Sequence, residues 1–222
     1  MLAVTLRMPT ISAAEFIPDR KTLPVLRGAV QDCRGCGLYR DATQAVFGEG
    51  PQSSVIVFVG EQPGDEEDRL GHPFVGPAGR LFDRALQEAG IDRSAVYITN
   101  AVKHFKFEER GKRRIHKKPA VSEVRACRPW LEAEIALIRP KIIVCLGATA
   151  AHSVFGADYR VTKERGQFVE LPWAPQATST IHPSAILRAP DEEQRRSEYQ
   201  RFVADLKKVA AGARTRVESP GI

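Results

Sequence analysis

The sequence predicts an α/β fold, a three-layer α/β/α sandwich around a central, mostly parallel sheet of four strands. Short apolar runs rich in β-branched residues are typical of strands that are buried on both faces. Four such runs occur, at residues 54–60, 95–99, 141–147 and 177–181. Helical patterns separate the runs, and strands that alternate with helices favour a parallel sheet. A shorter run at residues 167–171 suggests an additional edge strand.

The predicted helices have apolar residues at the 3.6-residue period of an amphipathic helix. One begins at Pro77 and ends near residue 89, and another is capped by Ser122 and ends near Ile138, before Pro140. Further helices are expected at residues 22–33, 148–155 and 191–211.

The chain of 222 residues is predicted to form one domain. We expect an irregular arm over residues 1–20, a single domain over residues 21–211 and a disordered tail over residues 212–222. No apolar run approaches the ~20 residues that span a membrane. The N-terminus lacks the regions of a secretory signal. We therefore expect a cytoplasmic protein that is a monomer and has no membrane partner.

The charge of the chain favours an anionic partner, with nucleic acid first. The formal net charge is +6 and the pI is about 9.3. Residues 100–118 alone contain eight Lys or Arg residues, together with His104, His116 and two phenylalanines. Such a long loop in a compact domain is usually functional or disordered. Its position after a predicted strand indicates the rim of an active site that contacts phosphate.

Polar side chains follow three of the predicted strands. Glu61 and Gln62 come after the first strand, Asn100 after the second and His182 after the last. Ligands bind at the carboxyl ends of parallel strands, so these residues are expected at one edge of the sheet. Each motif alone is weak, because a glycine-rich turn or a histidine at a strand end is often only structural. Together they predict a site.

Four cysteines are candidates for a metal or redox site. Cys33 and Cys36 form a C-x-x-C pair, and Cys127 and Cys145 lie far along the chain. In a reducing compartment this pattern favours metal or redox chemistry over disulfides. Cys145 lies inside an apolar run, and a small core residue is an equally good interpretation.

Five motifs together resemble the uracil-DNA glycosylase superfamily over residues 33–187. They are CRGC-GLY at 33–39, GEQPG at 60–64, HPFVGPAG at 72–79, YITNAVK at 97–103 and HPSA at 182–185. The C-x17-C spacing of Cys127 and Cys145 is similar to that of the iron–sulfur branch, families 4 and 5. The insertion GKRRIH at 111–116 resembles the X-type branch (UdgX), and Gln62 fits it as well, since family 4 members usually have GEAPG.

The resemblance implies that the protein excises uracil from DNA. Breaking the C1′–N bond leaves negative charge on the base and positive charge on the sugar. His182 can donate to uracil O2, and Glu61 can stabilise the cation or orient a water. Asn100 can pair with uracil N3–H and O4. Phe74 can stack on the base, although core packing is its simpler role, and the backbone N–H near Gln62 could meet a base oxygen.

The resemblance also implies a 4Fe–4S cluster on the four cysteines, which by chemistry alone could equally bind zinc. The cluster would be structural, with no redox step.

For His116 the resemblance implies attack on the sugar C1′ after uracil leaves, giving a covalent protein–DNA adduct. Arg114 would help to position the loop. The simpler alternative is a histidine that touches phosphate in an ordinary turnover glycosylase. A second alternative is a non-catalytic iron–sulfur DNA-binding module.

Overall fold

The computed structural model describes residues 12–214. Its strands are β1 (Ile56–Gly60), β2 (Tyr97–Asn100), β3 (Phe107–Arg110), β4 (Arg113–His116), β5 (Ile142–Leu146), β6 (Val169–Leu171) and β7 (Ala174–Thr180). Its helices are α1 (Leu23–Ala29), α2 (Asp65–Leu70), α3 (Pro77–Glu88), α4 (Val121–Ile138), α5 (Ala148–Phe155), α6 (Val161–Glu164), α7 (Pro183–Leu187) and α8 (Glu192–Arg214).

The main sheet confirms the predicted α/β class and has five strands rather than four, in the order β2-β1-β5-β7-β6. The first four strands are parallel, and β6 pairs antiparallel with β7 at one edge. The fifth strand is the short run at residues 167–171, which the sequence suggested as an edge strand. β1 and β5 are buried at every position, as their continuous apolar sequences predict.

The sheet separates two hydrophobic clusters, which give the fold its three layers. Alternate residues of β1 and β5 face opposite sides, because side chains alternate along a strand. Val57 and Cys145 face a cluster with α1, α4 and α5, whereas Phe58 and Val144 face one with α3 and α8. The helices therefore cover both faces and leave the strand ends for the site.

The start of α4 differs from the prediction. The N-cap is Ala120 rather than Ser122, and no side chain caps the helix there in the usual way. Instead, a carboxylate oxygen of Glu123 accepts a hydrogen bond from the Ala120 backbone N–H at 2.6 Å. A glutamate at the third helical position can satisfy that donor without a capping hydroxyl. The predicted end at Ile138 is confirmed.

Two predicted loops contain regular structure. The acidic stretch after Gly64 forms α2, and residues 107–116 of the basic loop form the antiparallel hairpin β3–β4. The hairpin turns at residues 111–112, where Gly111 has a φ of 60°. That conformation favours glycine.

The two ends also differ from the prediction. Within the expected arm, Ala13–Phe16 is a short 3-10 helix that packs against α4. α8 continues to Arg214, past the predicted end at residue 211. Residues 1–11 and 215–222, which include most of the predicted disordered tail, lie outside the described residues. Across residues 12–214, no helix has both the length and the apolar character to cross a membrane.

Candidate active site

The residues predicted at the strand ends lie together at the carboxyl edge of the parallel strands. Glu61 directly follows β1, Asn100 ends β2, and His182 follows β7 and caps α7. Gly60 pairs with Asn100 across the two strands. His116, at the end of the hairpin, has its Nε2 3.3 Å from Glu61 Oε1.

Asn100 and Phe74 are buried side by side at this edge of the sheet, where both contact Gly60. Asn100 is 2% exposed, and its Oδ1 has no hydrogen-bond partner among residues 12–214. The Phe74 ring centre lies 5.8 Å from that of His182 and 5.4 Å from that of Phe82. Phe74 therefore belongs to the core on one side and faces the site on the other.

Gly60 lets both of these side chains pack directly against the end of β1. A Cβ at this position would lie 2.3 Å from Asn100 Oδ1 and 2.7 Å from the Phe74 ring. Real Cβ atoms do not approach other atoms so closely, so any other residue would push Asn100 and Phe74 aside. The close packing at the glycine and the unpaired amide oxygen mark Asn100 as a candidate for contact with a polar ligand.

Glu61 is held in its charged form. Burial alone would raise its pKa, but hydrogen bonds from His116 and Thr149, with the electrostatic interaction of the two nearby histidines, give a net lowering of the pKa. The Thr149 hydroxyl donates to Glu61 Oε2. Thr149 was not among the residues predicted from the sequence, although it lies at the start of α5, just after the end of β5. The strand-end rule that selected the other residues could have found it.

The surroundings of His182 favour a neutral ring with its proton on Nε2. Desolvation lowers its pKa to about 4, although the charge of Glu61 opposes the shift. Its Nδ1 accepts a hydrogen bond from the Ser184 backbone N–H at 3.2 Å and lies 2.8 Å from the Ser184 hydroxyl. Because Nδ1 accepts, the proton of the neutral ring is on Nε2.

Gln62 holds the two ends of the hairpin together. Its Nε2 donates to the backbone oxygens of Lys106 at 3.1 Å and Lys117 at 3.0 Å. Its Oε1 accepts from the Lys106 backbone N–H at 3.2 Å. Gln62 was predicted as a substrate-binding residue through its backbone N–H, and these three bonds engage its side-chain amide with the hairpin instead.

Arg114 fixes the hairpin from the other side. Its guanidinium donates to Asp65 at 2.5 Å and to Asp68 at 2.7 Å, both on α2. The same group lies 5.5 Å from the ring centre of Phe105 and 5.0 Å from that of Phe107. The structure thus gives Arg114 a positioning role, and α2, which the sequence analysis missed, supplies its partners.

The outer surface of the hairpin is basic. Lys112, Arg113 and Lys118 are exposed. His116 is 50% exposed, so its ring is open to solvent on one side while it meets Glu61 on the other. A strand of DNA laid across this surface would meet several positive charges close to Glu61.

Residues 47–207 match the family model described as the uracil DNA glycosylase superfamily. The chain belongs to this superfamily. It is 41% identical to a type-4 uracil-DNA glycosylase of Thermotoga maritima, over 78% of this chain and 88% of the relative. A type-4 uracil-DNA glycosylase of Archaeoglobus fulgidus is 37% identical over 81% of this chain and 87% of the relative. The family match contains Glu61, Asn100, His116 and His182.

The four cysteines have the chemistry of a metal-thiolate site. All four lie in or against one hydrophobic cluster of this glycosylase fold. Trp130 Nε1 donates to Cys33 Sγ at 3.2 Å, and the Lys103 backbone N–H donates to Cys127 Sγ at 3.3 Å. Hydrogen bonds of this kind support sulfur atoms that ligate iron. Burial raises the pKa of Cys127 to about 12 and also raises that of Cys145, so a bound metal would have to deprotonate both.

Among residues 12–214, no three His, Cys, Asp or Glu side chains are arranged to hold one metal ion. A 4Fe–4S cluster makes a different demand, since each cysteine binds a different iron. The family match begins after Cys33 and Cys36. The four thiolates fit zinc or an iron–sulfur cluster by their chemistry, and the choice of the cluster rests on the resemblance to the iron–sulfur branch.

Proposed function

We propose that the protein excises uracil from DNA and that His116 then bonds to C1′ of the resulting abasic deoxyribose. The observation that carries this proposal is the position of His116. Its Nε2 lies 3.3 Å from Glu61 Oε1, at the edge of the sheet where Asn100, Phe74 and His182 also lie. A uracil bound to Asn100 and His182 would bring its sugar next to both Glu61 and His116.

Asn100 supports uracil as the base. Its unpaired Oδ1 can accept from uracil N3–H, and its amide nitrogen can donate to O4. Cytosine has an acceptor at N3 and a donor at N4, so both contacts would be mismatched. The Phe74 ring beside His182 suits stacking on a flat pyrimidine taken out of the base stack.

Glu61 and His182 support cleavage of the glycosidic bond. When the C1′–N1 bond breaks, its electron pair remains on uracil and the negative charge spreads to O2. The Nε2–H of neutral His182 can donate to that oxygen, and the Glu61 carboxylate can stabilise the positive charge on the sugar. Thr149 keeps that carboxylate oriented.

His116 supports capture of the sugar cation. The ring nitrogen that is left unprotonated supplies an electron pair to C1′, and a C–N bond forms. The proton on the other nitrogen passes to Glu61 or to solvent, which leaves a neutral substituted imidazole. The approach is short because Gln62 and Arg114 hold the hairpin against the site.

An iron–sulfur cluster bound by Cys33, Cys36, Cys127 and Cys145 is part of the same proposal. Such a cluster would supply a rigid cross-link between the segment after α1, α4 and β5, and none of the reacting atoms. Absorption in the near-visible, with iron and sulfide analysis, tests it. One zinc per chain would count against it.

The names of the type-4 relatives favour a second candidate, a turnover glycosylase in which Glu61 activates water and His116 only contacts DNA. A denaturing gel with uracil-containing single-stranded DNA separates the two. We expect a shifted band from the wild type, its loss in His116→Ser with release of free uracil retained, and no change in Lys118→Ser. Free uracil without a shifted band would favour turnover, and no uracil release would contradict both.

A further inference from the structure

Lys103 is a buried cation that the proposed reaction does not use. Its side chain is 0% exposed, three residues after Asn100. Its Nζ donates to the Asn100 backbone oxygen at 2.9 Å and to Thr99 Oγ1 at 2.7 Å, and it also pairs with the Glu134 carboxylate. Every hydrogen of the ammonium group therefore has a partner.

Glu134, on α4, completes a closed network. It is also 0% exposed. Its Oε1 accepts from the Tyr97 hydroxyl and the Gly48 backbone N–H, both at 2.9 Å. A buried ion pair adds little net stability, since desolvation offsets the attraction. The role of this pair next to Asn100 is therefore not stability. Its contacts fix the positions of the residues around the end of β2.

The helix α4 holds Lys103 at two points. Cys127 Sγ accepts from the Lys103 backbone N–H, and Glu134 binds the side chain of the same residue. Cys127 and Glu134 are seven residues apart, two helical turns, so they lie on one face of α4. Lys103 thus joins the helix that carries a cysteine of the proposed cluster to the strand end that carries Asn100.

We propose that Lys103 is a positioning residue for base recognition. Its ammonium fixes the Asn100 backbone oxygen, and so the direction of the amide that reads uracil. Its backbone N–H makes that direction depend on the position of Cys127. On the opposite side, the Ala101 N–H donates to Gly60 O at 2.9 Å, so the backbone around Asn100 is held from two directions. The inference rests on the proposed uracil-DNA glycosylase activity.

The test uses a neutral double variant, Lys103→Met with Glu134→Gln, which leaves no unpaired buried charge. Tyr97→Phe is the matched control, because it removes one hydrogen bond to Glu134 and none to Asn100. Three quantities are measured: the melting temperature, the inhibition of single-turnover cleavage by free uracil, and the Kd for a uracil-free oligonucleotide. Near-visible absorption follows the cysteine site in each variant.

The double variant is expected to bind free uracil about tenfold more weakly, the effect of losing one buried hydrogen bond. Its Kd for uracil-free DNA and its absorption should match the wild type. Tyr97→Phe should keep its uracil affinity. If the double variant does not fold, Thr99→Val, which removes one Lys103 contact from the network, should weaken uracil binding by about threefold.

Wild-type uracil affinity in the double variant, or in Thr99→Val where that variant is used, would overturn the inference. An equal loss of uracil affinity in Tyr97→Phe would also overturn it. The loss would then come from a less stable network and not from the contact between Lys103 and Asn100. Failure of the proposed function has a different signature, a wild-type protein that releases no uracil from DNA.

Discussion

Replacement of Arg114 by Met is expected to release the β3–β4 hairpin while the base pocket stays intact. The guanidinium is the group that ties β4 to α2 through Asp65 and Asp68. Methionine keeps an apolar stem of similar length against the rings of Phe105 and Phe107. The variant therefore removes the charge contacts and leaves the packing.

The ion pair with Asp68 accounts for most of the free energy that the docked hairpin is expected to lose. Asp68 is 0% exposed and Arg114 is 15% exposed, and breaking a buried pair costs about 3–5 kcal/mol. Asp68 still accepts from the Thr43 backbone N–H at 3.0 and 3.1 Å, which places the cost near the lower end, about 3 kcal/mol. Asp65 is 38% exposed and adds about 0.5 kcal/mol. About 3 kcal/mol corresponds to about a hundredfold fall in the population of the docked hairpin.

Single-turnover gels with uracil-containing DNA measure this change. The rate of adduct formation should fall by up to about a hundredfold, whereas uracil release should stay within about threefold of the wild type. Arg113→Met, on the exposed side of the same strand, is the control and should form the adduct normally. An Arg114→Met protein that forms the adduct at the wild-type rate would refute this role for the arginine.

Four further predictions concern the effect of pH and of two substitutions in the site. Uracil excision needs ionised Glu61 and neutral His182. The rate constant of excision should therefore stay unchanged from neutral pH down to about 5. It should fall as the pH approaches about 4, the pKa of His182. The depressed pKa of His182 also means that its contribution to stability is present above its ordinary pKa and is lost on acidification, which pH-dependent melting can follow. Gly60→Ala should slow excision about tenfold to a hundredfold in single-turnover assays, because the new methyl group would displace Asn100 and Phe74. Gly28→Ala, whose methyl group meets nothing within 4 Å, should not slow it. Gln62→Leu should lower the yield of adduct on gels about tenfold and preserve uracil release, because the hairpin loses the amide that joins its ends.

The fold was predictable where local pattern and burial agree. β1 and β5 are continuous apolar runs because both of their faces are covered, and this is visible in the sequence. The hairpin was not predictable in the same way. Its charged residues give no apolar alternation, and its anchors, Gln62 and Arg114, act between segments more than 40 residues apart, since Gln62 contacts Lys106 at a separation of 44 residues.

The candidate site was also predictable only in part. Glu61, Asn100 and His182 could be grouped because parallel strands end at one edge. The network of Lys103 and Glu134 could not, because the two residues are 31 positions apart and nothing in either local sequence marks the other. The role of Gln62 was also hidden, since only the structure shows which atoms its amide meets.

The hairpin begins and ends at neighbouring points of the chain. The Lys117 backbone N–H donates to Lys106 O at 2.9 Å, so the residues on either side of the ten-residue segment 107–116 are already in contact. A short turn could replace the segment without moving β2 or α4. Residues 107–116 could therefore be inserted or deleted as one unit. A related glycosylase could gain this hairpin by a single insertion, provided that it also has residues equivalent to Gln62, Asp65 and Asp68 to hold it.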